Sequence, residues 1–81
     1  MTPEEIGKVI LFHRKKSRLT QKQLAELAGV GKSVIFDIEK GKESVQLNSL
    51  LKIFSVLNIN LELKSPLIHL MERNDEESES I

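Results

Sequence analysis

Between Thr20 and Gly41 the apolar positions trace two short helices joined by a tight turn. Leu24, Leu27 and Ala28 fall on one helical face. Thr20 is placed to cap that helix, with Gln23 completing a capping box and Leu19 and Leu24 forming a hydrophobic staple. Gly29-Val30-Gly31 breaks it, and Gly29 suits the left-handed residue that ends many helices. Val34, Ile35 and Ile38 then repeat at helical spacing until Gly41 stops the run. This is the pattern of a helix-turn-helix, whose second helix can enter a DNA major groove.

The flanking pattern supplies more elements. Thr2 caps a first helix, Pro3 sits where its missing N–H costs nothing, and Glu5 completes a second box. Ile6, Val9, Ile10 and His13 share a stripe; Leu11 and Phe12 widen it, leaving apolar surface for a partner. Leu47, Leu50, Leu51, Phe54 and Leu57 mark a fourth helix on the core. Gln46 is a poor cap for it, and Asn58 can end it in the left-handed conformation.

From Asn60 the period changes to two. Asn60, Leu61, Glu62, Leu63 and Lys64 alternate polar and apolar, the mark of a strand. No other segment offers it a partner, so the simplest solution is an antiparallel pair with the same strand of a second copy. The alternative is a coil packing Leu61 and Leu63 on the core. Ser65-Pro66 can start a short helix over 66–72, and the acidic run from 73 to 81 reads as disordered. The expected fold is all-α: a four- to five-helix helix-turn-helix domain over 1–64, with a C-terminal β-strand pairing across a homodimer. Residues 65–81 form a short apolar segment and an acidic tail.

A chain of 81 residues is one small domain with little core, for which dimerisation is one remedy. The formal net charge is zero, but its distribution is not even. Residues 1–64 hold 11 Lys or Arg against 7 Asp or Glu, whereas 65–81 hold one Arg against five acids. A domain with a charge of +4 thus precedes a tail with a charge of −4, and the basic part suits nucleic acid.

Other chemistries find no support. With no cysteine there is neither a disulfide frame nor a thiolate metal site. No apolar run approaches the ~20 residues that span a bilayer, and the start MTPEEIGKV lacks the basic region of a signal peptide. The expected location is cytoplasmic, nucleoid-associated when bound to DNA. Gly29-Val30-Gly31-Lys32-Ser33 echoes a P-loop ending but lacks its first glycine and preceding strand. His13 and His69 are the only imidazoles, and no nucleophile–base arrangement accompanies them. No enzyme activity, cofactor or metal is expected. His13 reads as a half-buried helix residue, with a functional role as the alternative. Arg14, Lys15, Lys16 and Arg18 either offset the helix dipole or meet phosphates.

Leu19-Thr20-Gln21, Leu24-Ala25, Gly29-Val30, Ile35 and Ile38-Glu39-Lys40-Gly41 together resemble the Cro/phage-repressor (XRE) type helix-turn-helix family over Ile6 to about Leu57. The stretch from Val45 to Leu63 looks like the HipB-type antitoxin subfamily, in which a strand after the fourth helix pairs across the dimer.

The resemblance implies roles. The third helix reads bases through Lys32 and Ser33, with Phe36 and Asp37 one turn on. Lys32 can reach guanine O6 and N7. Val34 either touches a thymine methyl or joins the core. Phe36 contacts thymine methyls or a protein partner. Asp37 accepts from cytosine N4 or, as we favour, is held by Lys40 or another cation. Thr20, Gln21, Lys22, Lys40 and Lys42 are the implied phosphate contacts, Gln21 at a helix N-terminus that itself favours anions. Arg14 and Glu39 match an internal salt bridge of the family.

The function implied is a homodimeric, sequence-specific transcriptional repressor of double-stranded, palindromic operator DNA. As a HipB-like antitoxin it would also bind a kinase toxin and autoregulate their operon. The alternative is a solitary phage-type or metabolic repressor. The tail either engages a partner or exposes the chain to proteolysis, or it only solubilises.

Overall fold

The computed structural model describes residues 1–79, with side chains through Arg73. Among the described residues there are five α-helices and no strand: α1 (Pro3–Lys16), α2 (Gln21–Ala28), α3 (Lys32–Glu39), α4 (Leu47–Val56) and α5 (Ile68–Glu79). None is long and apolar enough to cross a membrane.

Local chemistry sets the helix ends. Thr20 Oγ1 accepts from the Gln23 amide at 3.0 Å, and the Thr20 amide donates to Gln23 Oε1 at 2.8 Å, closing the expected box. At Thr2 only half of a box forms, with Oγ1 accepting from the Glu5 amide at 3.1 Å. Gly29 ends α2 at φ 70°, and the Val30 amide reaches back to Ala25 O at 3.0 Å. This is a Schellman closure. Asn58 plays the same part after α4 at φ 57°, as its type suggested. Arg18 does so after α1 at φ 58°, where a non-glycine residue is strained.

α1–α4 enclose one core. Ile10, Leu24, Ala25, Ala28, Ile35, Ile38, Ile53, Phe54 and Leu57 are buried in it. Leu19, Val30, Val34, Val45 and Leu50 pack around its edge. Two assignments from the pattern change. Leu27 is 62% exposed while Ala25 is buried. The buried arc of α2 is rotated toward its alanines, whose small side chains let it approach both α3 and α4. On α4 the buried arc centres on Ile53, Phe54 and Leu57, so Leu47 and Leu51 fall outside it and are exposed. Periodicity alone names an apolar stripe wider than the neighbouring helices can cover.

The C-terminal part departs furthest from expectation. Asn60, Leu61, Glu62, Leu63 and Lys64 form no strand. A ladder needs a second edge, and among the described residues this chain supplies none. Nor is the segment a coil packed into the core: Leu61 is 45% and Leu63 78% exposed. After it, Ser65 Oγ accepts from the Leu67 amide at 3.3 Å, and α5 begins at Ile68. The helix continues to Glu79, where composition suggested disorder from residue 73. Neither Pro nor Gly interrupts the run after Pro66, so nothing stops a helix once started. The rest of that expectation, Ser80 and Ile81, lies outside the described residues.

Candidate nucleic-acid interface

The interface is built on Glu39, at the end of α3. Its carboxylate accepts from Arg14 Nε at 2.6 Å, Arg14 Nη2 at 3.0 Å and Gln21 Nε2 at 3.0 Å. Arg14 Nη1 donates to Leu19 O at 2.9 Å. One carboxylate thus ties α1, the start of α2 and the end of α3 together. The side chains of Arg14 and Glu39 are only 12% and 6% exposed, so the pair sits where a bidentate geometry with every polar atom satisfied is needed. The expected salt bridge between Arg14 and Glu39 is present. Among the described residues no buried side-chain polar atom lacks a partner.

Backbone packing reinforces the junction. A Cβ on Gly7 would come within 2.3 Å of Ile38 O. α1 and α3 therefore approach more closely than any side chain at position 7 permits. No pattern of apolar positions marks Gly7. The signal was available, because a glycine inside a helix costs about 1 kcal/mol relative to alanine and so implies a packing reason.

With its inner face held by Ile35, Ile38 and Glu39, α3 turns Lys32, Ser33 and Phe36 to solvent. Val34 is half-buried at the core edge. Gly31 precedes α3 without a side-chain cap. Phe36 is 49% exposed, and Lys40 Nζ stands over its ring at 5.3 Å from the centroid. Asp37 is engaged by Lys42, Nζ to Oδ2 at 3.4 Å, rather than by Lys40. The base-reading candidates Lys32, Ser33, Phe36 and Asp37 thus share the outer side of one helix, with Asp37 already neutralised in part.

The phosphate-contact candidates divide. Lys22, Lys40 and Lys42 are exposed. Thr20 spends its hydroxyl and amide on the capping box, and Gln21 gives its side-chain amide to Glu39. Beside α3 lies a cleft lined by Val34, Asp37, Lys42, Ser44, Val45, Gln46 and Ser49. Ser44 and Ser49 carry no expectation from the sequence, and Gln46 only that of a poor cap. Gln46 was the clue: α4 starts there with no side-chain cap, leaving backbone N–H groups of its first turn without one. On α1, His13 is half-buried and its Nδ1 pairs with Val9 O at 2.7 Å, the bland reading of that residue.

Known proteins share this architecture. The helix-turn-helix family model matches residues 13–64. A protein of Sinorhizobium fredii (strain NBRC 101917 / NGR234), named as the uncharacterized HTH-type transcriptional regulator y4mF, is 35% identical over 65 residues, covering 80% of this chain and 86% of its own. A chain of a solved structure described as a HipA-HipB-O2-O3 complex superposes with a TM-score of 0.73 at 21% identity, covering 82% of this chain and 93% of that one. A solved chain described as MDT protein gives the same TM-score of 0.73 and the same 21% identity. At that identity the structural likeness speaks to the fold, while the family match and the Sinorhizobium relative speak to descent. The chain belongs to the helix-turn-helix family of transcriptional regulators.

Proposed function

We propose that this protein is a sequence-specific repressor that binds duplex operator DNA as a homodimer and serves as the antitoxin of a kinase toxin. The observation that carries the DNA reading is the Glu39 junction. It fixes α3 against α1 and α2 from within, so that Lys32 and Ser33 are held outward on a rigid helix. Lys32 and Ser33 then read base edges, and Phe36 meets thymine methyls or a protein partner. Lys22, Lys40 and Lys42 contact phosphates, and Thr20 and Gln21 offer the N-terminal end of α2 to the same backbone. Asp37 lowers the charge of the reading face through its pair with Lys42.

The homodimer rests on residues 60–64, whose alternating leucines are exposed and whose backbone has no ladder partner in one chain. Antiparallel pairing with a second copy buries both, and the resulting twofold suits a palindromic operator. The antitoxin role is supported by the fold shared with a chain of the HipA-HipB-O2-O3 structure.

A gel-shift titration on the native upstream region tests the DNA reading. Lys32→Ala with Ser33→Ala is expected to cost about 1–3 kcal/mol of discrimination between operator and random duplex. Unchanged selectivity would refute the recognition assignment. For the antitoxin role, a tagged chain is co-expressed with a kinase encoded beside it. Retention of the kinase supports an antitoxin; its absence from the eluate leaves a solitary repressor.

A further inference from the structure

Two apolar strips have no cover among the described residues. One runs from Met1, just ahead of α1, to Val9 and Phe12 on the helix, all exposed, and at Val9 borders a groove that Ile6, Phe54 and Leu61 also line. The other lies at the start of α5, where Leu67 in the turn just before the helix and Leu70 and Met71 in its first turn are exposed. Their surroundings carry opposite charge. The α1 strip ends in Lys15 and Lys16, with Lys16 Nζ lying 5.6 Å from the Phe12 ring centroid. The α5 strip leads into a sequence with five acids and one arginine in residues 65–81.

The geometry points to α5 as a swapped arm: α5 of one copy docks on the α1 strip of the second copy, not on its own. This rests on the homodimer reading above. In an antiparallel pair centred on Glu62, Lys64 of one chain lies opposite residue 60 of the other. Asn60 and Leu61 line the α1 groove. The chain leaving the pair therefore emerges at the other copy's groove, and three residues at roughly 3.3 Å each carry it no more than about 10 Å to Leu67. Leu67, Leu70 and Met71 cover Val9 and the groove. A course parallel to α1 then brings the acidic end of α5 beside Lys15 and Lys16. The arrangement buries both strips and joins the +4 domain to the −4 tail across the dimer.

The absence of cysteine makes the test direct. Full-length Phe12→Cys and Leu70→Cys chains, one carrying a mass tag, are mixed under gentle oxidation, with Leu27→Cys replacing Phe12→Cys as control. Both positions are exposed, so folding is preserved; circular dichroism checks it. Sedimentation of the wild-type chain, which has no cysteine to cross-link, reports dimerisation separately. Swapped docking gives a heterodisulfide several-fold above the control in a chain that sediments as a dimer. A dimer with no excess heterodisulfide overturns the swapped arm and spares the dimer. An intramolecular bridge in the Phe12→Cys/Leu70→Cys double variant, in place of the heterodisulfide, shows docking within one copy and also overturns it. A monomer at all concentrations overturns the homodimer reading itself.

Discussion

Thr20–Gly41 and the stretch from 59 to 71 differ in how far each is completed by its own chain. In the first, two helices are capped or closed locally, the leucines and isoleucines except Leu27 meet one core, and the polar anchor Glu39 has three donors. In the second, alternating leucines and a helical apolar strip stand exposed, and the backbone over 60–64 pairs with nothing in the described chain. The second is not the less apolar of the two, with 7 apolar residues in 13 against 9 in 22. What differs is whether other described residues of the chain cover them. The first region is therefore completed within one chain, by α1 and α4; under the proposed homodimer the second is covered by another copy.

The largest effect expected from perturbing this contrast comes from Glu39→Ala. It strands Arg14 in a site where its side chain is 12% exposed. The expected loss is about 3–5 kcal/mol of unfolding free energy, the usual result of removing one partner of a buried pair. Urea denaturation measures it; a loss below 1 kcal/mol would mean that the junction is solvated. Next is Leu63→Asp. Leu63 is outside the core, so the domain keeps its helical signal on circular dichroism. Self-association weakens by about 1.5–3 kcal/mol per copy, the value of burying one leucine. Unaltered sedimentation would remove residues 60–64 from the dimer.

Smaller effects separate the inner and outer sides of the first region. Lys42→Ala is expected to weaken binding almost equally for operator and random duplex and to lower the salt slope of log K by about 1. A loss confined to the operator would instead make Lys42, or the Asp37 it holds, a determinant of sequence. The smallest is Arg18→Gly, expected to stabilise by up to about 1 kcal/mol because its φ of 58° suits glycine. A fall in DNA affinity in that stable variant would reveal the guanidinium as a phosphate contact.

Legibility followed the range of the interactions. Caps and closures at Thr20, Gly29 and Asn58 rest on contacts within five residues, and their residue types announce them. The Arg14–Glu39 bridge spans 25 positions and was legible only through resemblance to a family. Gly7 passed unread because its reason, the carbonyl of Ile38, lies on another helix. Leu27, Leu47 and Leu51 were misplaced because a helical period does not reveal how wide an arc the neighbours will cover. On the outer face of α3, Lys32 and Ser33 are candidates through resemblance to the family, and both stand exposed. The partners of Asp37 and Gln21 depended on where Lys42 and Glu39 came to rest.

By itself the sequence determined the helices of the first 57 residues, the turn between α2 and α3, and the charge divide between domain and tail. All of these depend on local propensity and counting. Only the tertiary structure decided that Glu39 joins three helices, that α1 and α3 touch at Gly7, and which leucines are left outside. Those outcomes depend on the distance and angle between helices, which are set by packing the whole core at once.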